Sequence, residues 1–341
     1  MFNLDLSKTG GVLAAGTVTA AGVETINITA ADASTATGGS AAVIHTATLT
    51  ANEATKVTVS GNNGLTLTAT GSTKVTTFDA SGVVANGTAG LDTAANLAVT
   101  YTSLNDTTTA NVTITGGAGD DVLTGGAAKD AINGGAGNDI INGGLGLDAI
   151  TVGNGRDIVQ ITNNDDNTAG DIIGSGTSAA DTITGFGLVS TGITGADLST
   201  NAKIQAYTAA GANLTVLNLD VTADDAGVGA GANQALAVEA NATGAGQAAG
   251  VTYTVTNGIL TLGGAGAAAV DTLGEWLVEA AAVAATAGDV LGFQFGSDTY
   301  VFAQNGTADV LVQLVGVAGS SLVEVSGATT ASAGAILYAD L

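Results

Sequence analysis

Five aspartates recur nine residues apart: Asp121, Asp130, Asp139, Asp148 and Asp157. The chain around them, from Gly116 to Gln160, reads GGAGDDVLT, GGAAKDAIN, GGAGNDIIN, GGLGLDAIT and VGNGRDIVQ, five units in unbroken register. Aspartate is the sixth residue of each unit, and the eighth is a large aliphatic: Leu123, Ile132, Ile141, Ile150 and Val159. If the units stack, their carboxylates form columns of like charge, which is unfavourable unless a cation lies between them. Carboxylates and the carbonyls of glycine turns are hard oxygen donors, and the cation that suits them is calcium, with several ions along the columns. The predicted ligands are the five aspartates with Gly117, Gly119, Gly126, Gly135, Gly137, Gly144, Gly146 and Gly155.

The elements that must hold these residues follow from the same period. Glycines open each unit, where a tight loop needs positive φ and close backbone approach. A three-residue strand then turns its aliphatic inward, since strand side chains alternate between faces. One unit is too small to bury that aliphatic, so the units must stack, two to a coil. Asp121, Asp139 and Asp157 then form one column, and Asp130 and Asp148 the other. Calcium shared between successive loops would make Asp139 a ligand of two sites. Ala128 stands where the second unit should have its third glycine, and Val152 replaces the first glycine of the fifth. A side chain at a positive-φ position costs about 1–2 kcal/mol, so weaker calcium binding is expected at these two loops. Past Ile161 the register frays into a segment with Asp165, Asp166, Asp171 and Asp181. Asp166, Asp171 and Asp181 are candidates to extend the ladder or cap its end; a solvated acidic loop is the alternative.

The composition agrees with oxygen-ligand loops. The 341 residues hold 6 Lys or Arg against 30 Asp or Glu, for a formal charge of -24, and 52 Gly. Aspartate, which favours turns, far exceeds glutamate, which favours helices. Such a charge repels nucleic acid and anionic membrane surfaces. The absence of cysteine excludes disulfides and thiolate metal sites. MFNLDLSKTG lacks the basic and apolar regions of a cleavable signal peptide, and no apolar run is long enough to span a bilayer. Only one histidine is present, His45 in AVIHTATL, with no nucleophile or second ligand at motif spacing, so it reads as a strand histidine. No catalytic constellation emerges, and the chain is expected not to be an enzyme.

Residues 1–115 are rich in Thr, Ala, Val and Gly, with alternating runs such as ETINITA at 24–30, KVTVSG at 56–61, LTLTATG at 65–71, NLAVTYTS at 96–103 and NVTITGG at 111–117. This pattern fits a β-solenoid or a sandwich without a helical break, and the solenoid is favoured because it can share the axis of the stacked repeats. Residues 116–190 form the calcium-binding roll with its acidic extension. Residues 191–341 change texture, with a strand at 214–221 and a hairpin in which Asn257-Gly258 separates VTYTVT from ILTL. A helix is predicted over 271–287, with Thr272 and Glu275 as a capping box and Gly288 ending it. Its apolar face is Leu273, Trp276, Leu277 and Ala280. Trp276 reads as core, with sugar stacking as the alternative. A second hairpin turns at Gly296-Ser297, and DVLVQLVGV at 309–317 reads as a further strand. The expected fold is therefore all-β: an elongated β-solenoid leading into a parallel β-roll, followed by a β-rich C-terminal domain with one helix.

The nonapeptides, with ADTITGF and the later FGSDTYVFAQNG and Ala-rich helix, resemble the RTX proteins that Gram-negative bacteria export by type I secretion. The Thr/Ala/Gly-rich, Cys-free remainder is most similar to their surface-layer proteins. The resemblance implies an uncleaved secretion signal at the C-terminus, here the tail Ala335 to Leu341, which by itself reads as an edge strand. It also implies a chain that folds on meeting calcium outside the cell, here as the C-terminal part of such a protein. The function expected is that of a calcium-dependent extracellular structural subunit of a self-assembling surface layer. The alternatives are a calcium-dependent adhesin or biofilm-matrix protein, and the secretion module of an RTX enzyme. The expected partner is the chain itself in two dimensions, with cell-surface polysaccharide engaged through a missing region; nucleic acid and membrane insertion are not expected.

Overall fold

A computed structural model describes residues 1–33, 44–87, 92–162, 180–187, 214–220, 237–238, 242–285, 289–304, 309–318, 321–324 and 335–339. It divides into two compact units, Met1–Asp157 and Ile158–Leu341.

In the first unit the chain lays down strands alternately in two sheets. They run β1 (Phe2–Lys8), β2 (Ala14–Thr19), β3 (Thr25–Asp32), β4 (His45–Thr50), β5 (Lys56–Gly61), β6 (Leu65–Ala69), β7 (Thr77–Val83), β8 (Val99–Thr102), β9 (Thr113–Thr115), β10 (Val122–Thr124), β11 (Ala131–Asn133), β12 (Ile140–Asn142) and β13 (Ala149–Thr151). Odd-numbered strands form one parallel sheet and even-numbered strands the other. Each coil thus contributes one strand to each face, which makes this unit a parallel β-solenoid and not a sandwich, whose sheets are antiparallel.

Register explains why residues 1–115 and the nonapeptides share one stack. On one inner face Ile26, Val57, Phe78, Ile114, Ile132 and Ile150 are successive partners. On the other, Ala47, Leu67, Tyr101, Leu123 and Ile141 follow one another. All of these are buried. Burying an aliphatic side chain is worth about 1.5–3 kcal/mol, and a slip of one residue would turn a strand's apolar set to solvent. The eighth residue of each nonapeptide therefore extends columns begun by the Thr-rich runs. Phe78 and Tyr101, one from each sheet, stack with ring centroids 3.8 Å apart and fill the interior between them.

Two features differ from the sequence reading, and His45 is the hydrogen-bonded strand histidine expected. A helical turn, Ala94–Leu97, interrupts the all-strand segment; the Thr93 side chain accepts from Asn96 N and so caps it. His45 is fully buried: Leu13 N–H donates to its Nδ1 at 3.2 Å, and Nε2 lies 3.2 Å from Ala31 O. It staples three segments of the solenoid. In the second unit the capping box at Thr272 and Glu275 is present, but the helix spans only Leu273–Val283. Its Ala284 C-cap is buried and leaves helical geometry there, several residues before the expected end; Gly288 lies outside the described residues.

The hairpins and strands expected in the second unit are present. Thr252–Thr256 and Ile259–Gly263 pair antiparallel about Asn257 (φ 50°) and Gly258 (φ 74°), the left-handed pair such a turn needs. Asp289–Phe295 and Asp298–Ala303 form the second hairpin, and Val310–Val315 pairs with the latter. The strand Leu214–Asp220 is present. The tail strand Ala335–Ala339 is not at an edge: it lies antiparallel between Leu214–Asp220 and Ser321–Glu324. Leu277, Ala280, Leu291, Phe293, Phe302 and Leu311 centre the core, with Leu273 and Trp276 packed against it. Glu279, also on the helix, is buried and accepts from Gln247 N and Ala248 N, both at 2.7 Å, clamping a loop to the helix.

Candidate metal centre

All five repeat aspartates are buried, none more than 1% exposed. Asp121, Asp130, Asp139 and Asp148 each directly precede a three-residue strand whose middle residue belongs to an aliphatic column, and Asp157 lies near the start of the strand Arg156–Thr162, so the strands fix the height and direction of the carboxylates. Asp139 Oδ1 accepts from Asp121 N at 2.8 Å, and Asp157 Oδ1 accepts from Asp139 N at 3.0 Å. Asp148 Oδ1 accepts from Asp130 N at 2.7 Å. These are the two columns expected of a coil of two units: Asp121, Asp139 and Asp157 on one side, Asp130 and Asp148 on the other. Each carboxylate reaches toward the coil before its own. Asp139 therefore stands between Asp121 and Asp157 in its column, its Oδ1 on the amide of the one and its own amide on the Oδ1 of the other.

The glycines frame the carboxylates in two ways. Gly135, Gly137, Gly144, Gly146, Gly153 and Gly155 have φ between 98° and 142°, the left-handed region open to glycine. The first glycine of a unit is needed for space instead. A Cβ on Gly134 would stand 2.4 Å from Asp139 Oδ2, and one on Gly143 would stand 2.1 Å from Asp148 Oδ2. Gly117, Gly119 and Gly126 are outside the left-handed region, and so are Ala128 and Val152, since Asn257 alone among described non-glycine residues has positive φ. The strain expected at Ala128 and Val152 is therefore absent; both side chains are buried. A close approach still requires glycine at 119, where a Cβ would lie 2.2 Å from the Leu97 carbonyl carbon.

Burial makes these carboxyls poor acids. It raises Asp139 to about 8, and the neighbouring charges of Asp121, Asp157 and Asp120 add to the rise. Burial likewise raises Asp121, Asp148 and Asp157 to about 7 and shifts Asp130 upward. Asp139 Oδ2 and Asp157 Oδ2 are buried with no hydrogen-bond partner. A buried anionic oxygen without a donor is costly, and a divalent cation is what such an oxygen lacks. The donors suit calcium: each loop brings one carboxylate, a hard oxygen ligand. Among the described residues no three His, Cys, Asp or Glu side chains converge to hold a metal, as expected where most oxygens come from the main chain.

A second ladder escaped the sequence reading. Asn138 N donates to Asp120 Oδ1 at 2.7 Å, and Arg156 N donates to Asn138 Oδ1 at 3.0 Å. These are the fifth residues of units one, three and five, so the signal was the register itself. Asp181 is buried at the start of the strand Asp181–Thr184, with Ile183 two residues on as in the nonapeptides. Asp166 and Asp171 lie outside the described residues.

Two overlapping segments, residues 106–130 and 124–159, match the family model of the RTX calcium-binding nonapeptide repeat, in 4 copies. No curated protein matches the chain. The match opens before Gly116 and takes in residues 107–115, where Ile114 holds the aliphatic position although glycine and aspartate are missing. RTX repeats bind several calcium ions and are typical of secreted proteins. Residues 106–159 are thus a run of RTX calcium-binding nonapeptide repeats, and the buried aspartate columns lie within it.

Proposed function

We propose that the protein is a calcium-dependent extracellular structural subunit of a self-assembling bacterial surface layer, exported by type I secretion, with no catalytic role. The observation that carries this reading is the shared stack. The calcium loops are coils of the same solenoid that begins near Phe2, so the ions would brace a structural body instead of presenting a ligand. The outer face of the even sheet supports lateral packing: Thr46, Thr66 and Thr100 are successive partners, as are Thr17, Thr48 and Thr68. Such regular rows offer a repeating surface to a second copy. The formal charge of -24 would keep chains apart until calcium neutralises part of it.

The test is electron microscopy of the purified protein. Millimolar calcium should give ordered sheets, and chelator or magnesium should leave dispersed particles; dispersed particles in calcium would count against a surface layer. One observation favours an adhesin as the second reading. In the second unit a cavity of about 530 Å³ is lined by half-buried Trp276 with Thr256, Thr261 and Gln294, and Trp276 stacks on Phe293 at 5.4 Å. An aromatic ring among hydroxyl and amide groups suits a sugar, and saturable glycan binding without sheets would support that reading.

A further inference from the structure

We infer that the calcium ladder begins at the third repeat, and that Asp121 and Asp130 bind no cation but pin the roll to the solenoid through backbone hydrogen bonds. The inference rests on the calcium-binding reading of the aspartate columns and distinguishes the repeats within it.

The carboxylates of the first two repeats are saturated by amides. Asp121 accepts from Val99 N at 2.7 Å through Oδ1 and from Gly117 N at 2.6 Å through Oδ2. Asp130 accepts from Val112 N at 2.6 Å and from Gly126 N at 2.5 Å in the same manner. In the third and fifth repeats only Oδ1 is so engaged, and Oδ2 of Asp139 and of Asp157 is left buried without a partner.

Backbone geometry separates the same two groups. The second and fourth residues of repeats three to five are left-handed glycines, whereas Gly117, Gly119, Gly126 and Ala128 are not left-handed. The first two loops rest on solenoid backbone instead of on another glycine loop. Ala118 N donates to Val83 O, Asp120 N to Ala94 O, and Ala127 N to Asn105 O. One coil earlier, the positions equivalent to Asp121 and Asp130 are held by Val99 and Val112, both fully buried. Since each aspartate faces the preceding coil, Asp139 meets a carboxylate-bearing loop there, and Asp121 and Asp130 meet valine. A cation beneath the first two would have neither a second carboxylate nor a free oxygen on the first.

Calorimetric calcium titration of the full chain, stripped by chelator, tests this. Asp139→Asn and Asp157→Asn should each lose one bound ion. Asp121→Asn and Asp130→Asn should keep the wild-type number of ions and lower the melting temperature in chelator. Loss of an ion in Asp121→Asn or Asp130→Asn, or an unchanged count in Asp139→Asn or Asp157→Asn, overturns the inference. Hydrogen exchange of the unaltered chain gives a second readout should a variant not fold. In chelator at neutral pH, peptides covering 116–128 should stay protected while those covering 134–157 lose protection, and equal loss in both overturns the inference. A wild-type chain that takes up no calcium would instead defeat the calcium-binding reading itself, an outcome distinct from any difference between repeats.

Discussion

A carboxylate withdrawn from water ionises only when something replaces the water, and in the repeats that requirement gives calcium binding a pH dependence. Asp121, Asp139, Asp148 and Asp157 hold their protons up to about 7 or 8 in the calcium-free fold, because burial opposes the anion. The unfolded chain releases them near the ordinary value of about 4. Between those limits the folded state binds more protons than the unfolded one, so stability without calcium falls as pH rises from about 4 to about 8. The chelated roll should therefore melt at a higher temperature at pH 5 than at pH 8, and calcium should bind more tightly as pH rises because it displaces protons from Asp139, Asp148 and Asp157. Thermal melts in chelator across that range check the first statement, and a stability that rises with pH would contradict it. Phe78 acts through packing alone: fully buried and stacked on Tyr101, its replacement in Phe78→Ala should cost about 3–5 kcal/mol, read from denaturant melts in saturating calcium.

At the scale of the element, loops and caps set the geometry that the side chains use. Gly137 is left-handed at φ 123°, and a Cβ there would stand 2.1 Å from Gly119 O. Gly137→Ala should thus raise the calcium midpoint and cost more than the roughly 1–2 kcal/mol of left-handed strain alone. The Thr272 cap is worth about 1 kcal/mol, so Thr272→Ala should lower the melting temperature of the second unit by a few degrees and leave calcium affinity unchanged. Much of this was legible in the sequence. The nonapeptide period carried the aspartate columns and the aliphatic stack, because a coil of two units leaves a fixed residue no other place to stand. The Asn257-Gly258 turn and the capping box were local signals and held. What the sequence did not disclose depended on neighbours distant in the chain. The helical turn at Ala94 hangs on one Thr93 cap, Glu279 is buried because two loop amides need an acceptor, and the freedom of Ala128 from strain follows from the solenoid backbone beneath its loop. The register also continues before Gly116 through Ile114, a unit hidden by its lack of glycine and aspartate.

At the scale of the whole molecule, a charge of -24 on a Gly- and Thr-rich chain makes calcium a partner in folding as well as a ligand. Residues 1–115 bury continuous aliphatic columns and carry few of the buried acids, so they should remain folded without the ion and serve as the template on which the repeats stack. No described helix is long and apolar enough to cross a membrane, and the assembly proposed is lateral, between solenoid faces. Magnesium, which demands a tight octahedron and gives up water reluctantly, should not replace calcium. Far-ultraviolet circular dichroism at pH 7.5 tests the central claim most directly. Excess chelator should remove the part of the strand signal that belongs to repeats three to five, with calcium restoring it and magnesium failing to do so; a spectrum unchanged by chelator would contradict the account.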